Sequence, residues 1–258
     1  AQGADPSSLV EETAHALGSL HFDPSGLVVS CRRIVERHPF TGALWWLCAN
    51  VVTSSEPFEA VWELADEIRS DRTGAELAAV LADEATVATI GDPDVIGDGL
   101  IRRGDIRVLA FDAGFTATSF LRRMERYDVD AEPVDAGVAG AAVAAADVVL
   151  VEALAIDSGR AVMPIGSSTI AGLAASFGTE VWVVAGVGRR LPSGFLDAMV
   201  AKVEALGADT DPWDLDVEVL PTSLFTHVVG PNGKVPMGPP AIVAECPMAH
   251  ELLRPSHI

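Results

Sequence analysis

From Thr86 onward the chain alternates short, unbroken apolar runs with stretches of helical spacing. The runs are ATVATIG, IRVLAFD, ADVVLVEAL, EVWVVAG and THVVG; between them stand SFLRRMERY, AGAAVAAA, STIAGLAASFG and GFLDAMVAKVEAL. A strand apolar on both faces has to be covered on both, and the intervening helices supply the cover. The pattern therefore predicts an α/β fold with a Rossmann-like, doubly wound parallel sheet.

The first half reads differently. SSLVEETAHALGSL, GLVVSCRRIVERH, GALWWLCANVV and PFEAVWELADEIRSD carry apolar residues at three-to-four spacing, which predicts helices. The expected division is a helical N-terminal domain over 1–82 and the α/β domain over 83–258. DTDPWDLDVEVLP reads as an acidic connection with its charges in solvent, and KVPMGPPAIVAECPMAHELLRPSHI as an extended C-terminal arm. At 258 residues and 49% hydrophobic content, the chain can fill a substantial core. Trp45, Trp46 and Trp62 lie on helical faces and read as core residues.

Seventeen Lys and Arg against 37 Asp and Glu give a net charge of −20, a field that repels nucleic acid and anionic lipid. No uninterrupted apolar run of about 18 residues occurs, and AQGADPSSLVEE has neither region of a secretion signal. A cytoplasmic protein with no nucleic-acid or membrane partner is expected. Cys31, Cys48 and Cys246 form no CxxC pair and have no histidine at zinc-ligand spacing, so they read as buried free thiols. No metal and no cofactor is expected.

In a doubly wound sheet, ligands bind beyond the carboxyl ends of the strands. In IGSSTIAGLAASF, Gly166 permits a tight turn, and Ser167 and Ser168 open a helix whose first amides attract an anion such as a phosphate. The same residues also start helices that bind nothing. AGVGRR puts Arg189 and Arg190 after a strand, where they either bind an anionic ligand or moderate the acidic surface. In TIGDPD, Asp92 and Asp94 are candidates for acid–base work or for holding a metal, although an Asp-Pro turn uses such residues for local hydrogen bonds, the preferred reading. P-loop, GxSxG, HExxH and GxGxxG motifs are absent.

Three stretches in consistent order carry a family resemblance: RHPFTGALWWL, ADVVLVEALAIDSGRAVMPIGSSTIAGLAASFGTEVWVVAG and LPTSLFTHVVGPNG. They resemble the family of the alpha, beta and delta subunits of eukaryotic initiation factor 2B, methylthioribose-1-phosphate isomerase and ribose-1,5-bisphosphate isomerase. The resemblance implies a phosphosugar cleft between the two domains, and dimers or larger homo-oligomers formed largely through the C-terminal domain. Gly166, Ser167 and Ser168 match the helix start that holds the ligand, and His38 stands where the family has an arginine. The isomerases' catalytic cysteine falls at Gly91, and their G-A-D reads Glu152-Ala153-Leu154. Their Asn-Lys pair reads Met163-Pro164, and their E-[ST]-R-P reads DAGF, which keeps an acid at Asp112.

Leucine exchanges no proton, and losing a positioned acid or base costs about 10²-fold to 10⁴-fold in rate. The expected function is therefore an initiation factor 2B-like protein that binds a small phosphorylated metabolite in a regulatory or assembly role. Isomerase chemistry is not expected to remain. The alternative is a divergent sugar-phosphate isomerase in which Glu152, Asp92, Asp94 or Asp112 does the acid–base work.

Overall fold

The computed structural model describes residues 6–18, 24–112, 116–238 and 241–254. The helical part comprises α1 (Pro6–Gly18), α2 (Pro24–Arg37), α3 (Gly42–Thr53), α4 (Pro57–Arg69) and α5 (Thr73–Val80). In α3, residues 42–49 are all buried, which makes it the central helix. Around it, α1 contributes Val10, Ala14 and Leu17, α2 contributes Cys31 and Val35, and α4 contributes Val61, Ala65 and Ile68. These three- and four-residue spacings put each helix's apolar side chains on one face, and each large one buried contributes about 1.5–3 kcal/mol.

The sheet strands are β1 (Thr86–Ile90), β2 (Arg107–Phe111), β3 (Asp130–Val134) and β4 (Val148–Glu152). The two-residue β5 (Ala155–Ile156) and β6 (Arg160–Pro164) follow; then come β7 (Glu180–Val184), β8 (Val217–Pro221), β9 (His227–Gly230) and β10 (Gly233–Pro236). The connecting helices are α6 (Asp94–Arg103), α7 (Ala117–Arg126), α8 (Ala139–Ala145), α9 (Ser167–Phe177) and α10 (Ser193–Asp209). Seven strands form one sheet in the order β10-β9-β7-β4-β1-β2-β3. All its pairings are parallel except that of β10 with β9. Strand order reverses between β1 and β4, which is where such a sheet opens a crevice.

Strand residues divide between the faces by their period of two. Val87, Val108, Leu150 and Val184 pack with Leu77 of α5, Ile96 and Leu100 of α6, and Phe120 and Met124 of α7. Ala88, Leu109, Val149 and Val183 pack with Val143 of α8 and Ile170 and Ala174 of α9. The doubly wound architecture expected from the apolar runs is present.

Five features go beyond the sequence reading or differ from it. Helix α6 follows TIGDPD although Gly97 and Gly99 dilute its helical signal; a side chain at 97 would meet the Arg123 guanidinium, and one at 99 would meet Leu77. Strand β3, DAEPV, is a largely exposed edge whose acids and proline hide it from an apolar-run search. Met163 and Pro164 belong to β6, and the acidic connection ends in β8; these two pair antiparallel in a second, three-stranded sheet. The C-terminal arm lies on its own chain, burying Cys246, Ala249 and Leu252 in the core of the helical part. Trp45 and Trp46 are core residues, whereas Trp62 is 44% exposed and meets the edge of His15.

Candidate functional site

At the carboxyl end of β1, Gly91 turns the chain with φ +76° and its amide donates to the Phe111 carbonyl. Asp92, Pro93 and Asp94 then lead into α6. Arg123, from α7, holds this turn: its Nη1 lies 3.3 Å from Asp94 Oδ1, its Nη2 lies 3.5 Å from Asp92 Oδ1, and it donates to the Pro93 carbonyl. Ser119 Oγ donates to the other Asp92 oxygen. Asp112, at the end of β2, accepts the Ala117 amide at 3.1 Å and so caps α7. The Ala113–Phe115 part of DAGF lies outside the described residues.

Glu152 ends β4 at the strand-order reversal, with 8% of its surface exposed. Its Oε2 accepts the Ile96 amide of α6 at 3.0 Å, and its Oε1 accepts Arg189 Nη1 at 2.6 Å. Arg189 also donates to the Ala153 carbonyl at 2.9 Å. Burial pulls the Arg189 guanidinium down, but Glu152 outweighs it, with help from Asp94 and Asp71, and the group sits above its ordinary value. The acid that sequence placed at the strand end is thus an ion-pair partner.

The helix start has a comparable arrangement. Gly166 takes φ +86°, and a Cβ there would come within 2.7 Å of Ile90 Cδ1. Ser167 is buried and donates from Oγ to the Pro164 carbonyl at 2.7 Å. Ser168 donates from its amide (2.8 Å) and its Oγ (2.6 Å) to the two oxygens of Glu218, on β8. The first turn of α9 therefore receives an anion from its own chain, as the positive end of a helix favours.

The walls of the expected cleft touch. The Gly42 amide of α3 donates to the Leu154 carbonyl at 3.1 Å, and a side chain at 42 would meet that same oxygen. Gly188, at φ +79°, lies against Ala43 and Trp46, leaving 3.1 and 3.2 Å to an added Cβ. His38 ties the α2–α3 turn through its backbone, its amide bonding to Ile34 and its carbonyl to Thr41. These hydrogen bonds stay at the α2–α3 turn, while those of Ser167 and Ser168 go to Pro164 and Glu218.

Arg190 turns the other way from Arg189. Its Nε donates to Glu245 Oε1 at 3.0 Å, its Nη2 donates to the same oxygen, and Glu245 Oε2 accepts the amides of Gly188 (2.9 Å) and Arg190 (3.2 Å). Asp71, between α4 and α5, accepts the Thr73 amide and hydroxyl on one oxygen and the Val187 amide (2.9 Å) on the other. Two polar cavities flank this region. One of about 330 Å³ is lined by Asp71, Asp94, Asp98 and Arg102, and one of about 480 Å³ by Glu67, Asp71, Arg190, Asn232 and Glu245. Neither is lined by His38 or by residues 166–168.

The structure thus joins Glu152 to Arg189, and Asp92 to Asp94 through Arg123, while Ser168 and Arg190 go to acids that sequence did not single out. Of the missed residues, Asp71 carried a signal, since Asp-Arg-Thr before a helical run is a capping pattern. Glu218 and Glu245 carried none, because their partners lie 50 and 55 residues away along the chain.

The described cysteines are free and buried. The Cys31 hydrogen bond and burial push the Cys48 thiol well above its usual range, and burial with Glu245 pushes Cys246 up to about 12. Neither is a ready nucleophile. Among the described residues, no cluster of side chains suits a metal ion, and no helix is long and apolar enough to cross a membrane.

No protein-family model and no curated protein matches the sequence. Solved structures do match the fold. The chain aligns with the Pyrococcus horikoshii OT3 translation initiation factor eIF-2B at 14% identity and a TM-score of 0.75, covering 93% of this chain and 94% of that one. It aligns with eIF2B beta from Chaetomium thermophilum at 13% identity and a TM-score of 0.68, over 91% and 82% of the two chains. A chain of the tetrameric eIF2B-beta2-delta2 complex of C. thermophilum aligns at 14% identity and a TM-score of 0.73, over 93% and 88%. The protein shares their fold.

Proposed function

We propose that this protein is an eIF2B-subunit-like assembly protein that has given up isomerase chemistry. The observation that carries the reading is Glu152: both of its oxygens are engaged inside the fold, by Arg189 and by the Ile96 amide. An acid–base group has to reach the proton it moves, and Glu152 is buried with an arginine on one oxygen and a helix amide on the other, which holds it as a structural anion. Asp92, Asp94 and Asp112 are likewise engaged in turns and caps. The fold shared with a chain of a tetrameric complex supports assembly into a homodimer or larger homo-oligomer.

This reading assigns no phosphate to the turn at Gly166, because Glu218 already supplies the anion there. A phosphorylated metabolite would have to displace that carboxylate or bind elsewhere. The test pairs two measurements on the whole chain. Incubation with methylthioribose 1-phosphate or ribose 1,5-bisphosphate in deuterated buffer should give neither product nor carbon-bound deuterium, and light scattering should give a mass at least twice that of the chain. Turnover would overturn the non-catalytic part, and a monomer at micromolar concentration would overturn the assembly part.

A further inference from the structure

Glu245 receives four donors from one short turn: the amides of Gly188 and Arg190, and the Nε and Nη2 of Arg190. Two converging amides beside a guanidinium fork match the two oxygens of a carboxylate. The left-handed Gly188 aims its amide at this point. The turn is independently fixed from behind, because Val187 donates to Asp71, Arg189 reaches Glu152, and Gly188 rests on Trp46. The backbone amides of the turn are therefore held independently of Glu245.

Glu245 can leave without its arm. Its backbone amide is held separately by the Arg190 carbonyl at 2.8 Å, and the arm beyond it is anchored by buried Cys246, Ala249 and Leu252. Its side chain also borders the cavity of about 480 Å³, which gives it somewhere to go. We infer that the turn at 187–190 is a carboxylate-binding site occupied in cis by Glu245, and that a small organic monocarboxylic acid takes this place when the Glu245 side chain swings out.

The surroundings select the charge of the ligand. Glu67 and Asp71 line the same cavity as the displaced Glu245, so an entering anion meets acidic neighbours, and a monoanion meets less repulsion there than a dianion. Burial, followed by the charges of Glu245 and Asp71, already holds the Glu67 carboxyl above its ordinary value. The inference does not depend on the assembly role proposed above, since its donors and its occupant belong to a single chain.

Thermal unfolding of Glu245→Ala in acetate, in chloride at equal ionic strength, and in inorganic phosphate tests it. An internal competitor lowers apparent affinity by the fraction of open sites, so acetate should stabilise Glu245→Ala saturably, with an affinity at least about tenfold tighter than for the unaltered protein. Phosphate should bind more weakly than acetate, and Glu245→Ala combined with Arg190→Ala should lose the saturable response. Equal effects of acetate and chloride on folded Glu245→Ala would overturn the inference, as would an acetate response surviving loss of Arg190 or a preference for phosphate. If Glu245→Ala does not fold even in acetate, Glu245→Gln carries the same titration, and the absence of an acetate response there overturns it equally.

Discussion

Arg189 has 6% of its surface exposed, and its charge is sustained by Glu152 at 2.6 Å. Removing one member of a buried pair strands the other, which costs about 3–5 kcal/mol, whereas replacing both by apolar groups is often neutral. Arg189→Met should accordingly lose most of that amount in urea denaturation, and adding Glu152→Leu should restore part of it, the shortfall being about 1–3 kcal/mol for the Ile96 amide left without its acceptor. Equal losses in the single and double variants would show that the pair is not coupled. Gly166→Ala forces a left-handed residue against Ile90 and should cost about 1–3 kcal/mol by the same measurement. Glu67 gives a pH signature. Its folded pKa is raised from 4.5, so its ionised form destabilises the protein at neutral pH, and that penalty fades as pH falls through the folded value toward 4.5. Glu67→Gln should therefore be more stable than the unaltered protein at neutral pH, and the advantage should shrink to nothing in acid.

Helix α9 shows why some elements can be read from sequence and their partners cannot. Its start is written locally in Gly166 and its apolar face in Ile170, Ala171 and Ala174, so the helix follows from spacing alone. Its capping anion comes from Glu218, which lies in a stretch whose acids looked like solvent-facing charge. Glu218→Gln should weaken the α9 start by about 1 kcal/mol, with earlier hydrogen exchange at the first-turn amides as the local readout. The central strands were legible because they are apolar on both faces, whereas β3 is exposed, β5 has two residues, and β6 and β8 carry prolines or acids that break an apolar run. The candidate site was less legible than the fold. TIGDPD, Glu152, Arg189 and Arg190 were found as residues, but ion pairing is decided by tertiary distance, and Arg123 gave no sign in SFLRRMERY of the turn it holds.

Taken as one body, the molecule carries a net charge of −20, and much of that charge is unpaired repulsion at long range. Raising salt from about 0.01 M to about 0.15 M shortens the screening length to about 8 Å, so the melting temperature should rise over that range rather than fall. A fall would mean that paired surface charges outweigh the repulsion. The helical part meets the α/β part at Gly42, where the Leu154 carbonyl leaves no room for a side chain, and at Gly188, which lies close against Ala43 and Trp46. Residues 246–252 complete the core that α1, α2 and α4 build around α3, although the sheet is made in between. Because α1 to α4 are synthesised before residues 246–252, the core they share lacks part of its apolar cover until that later segment arrives.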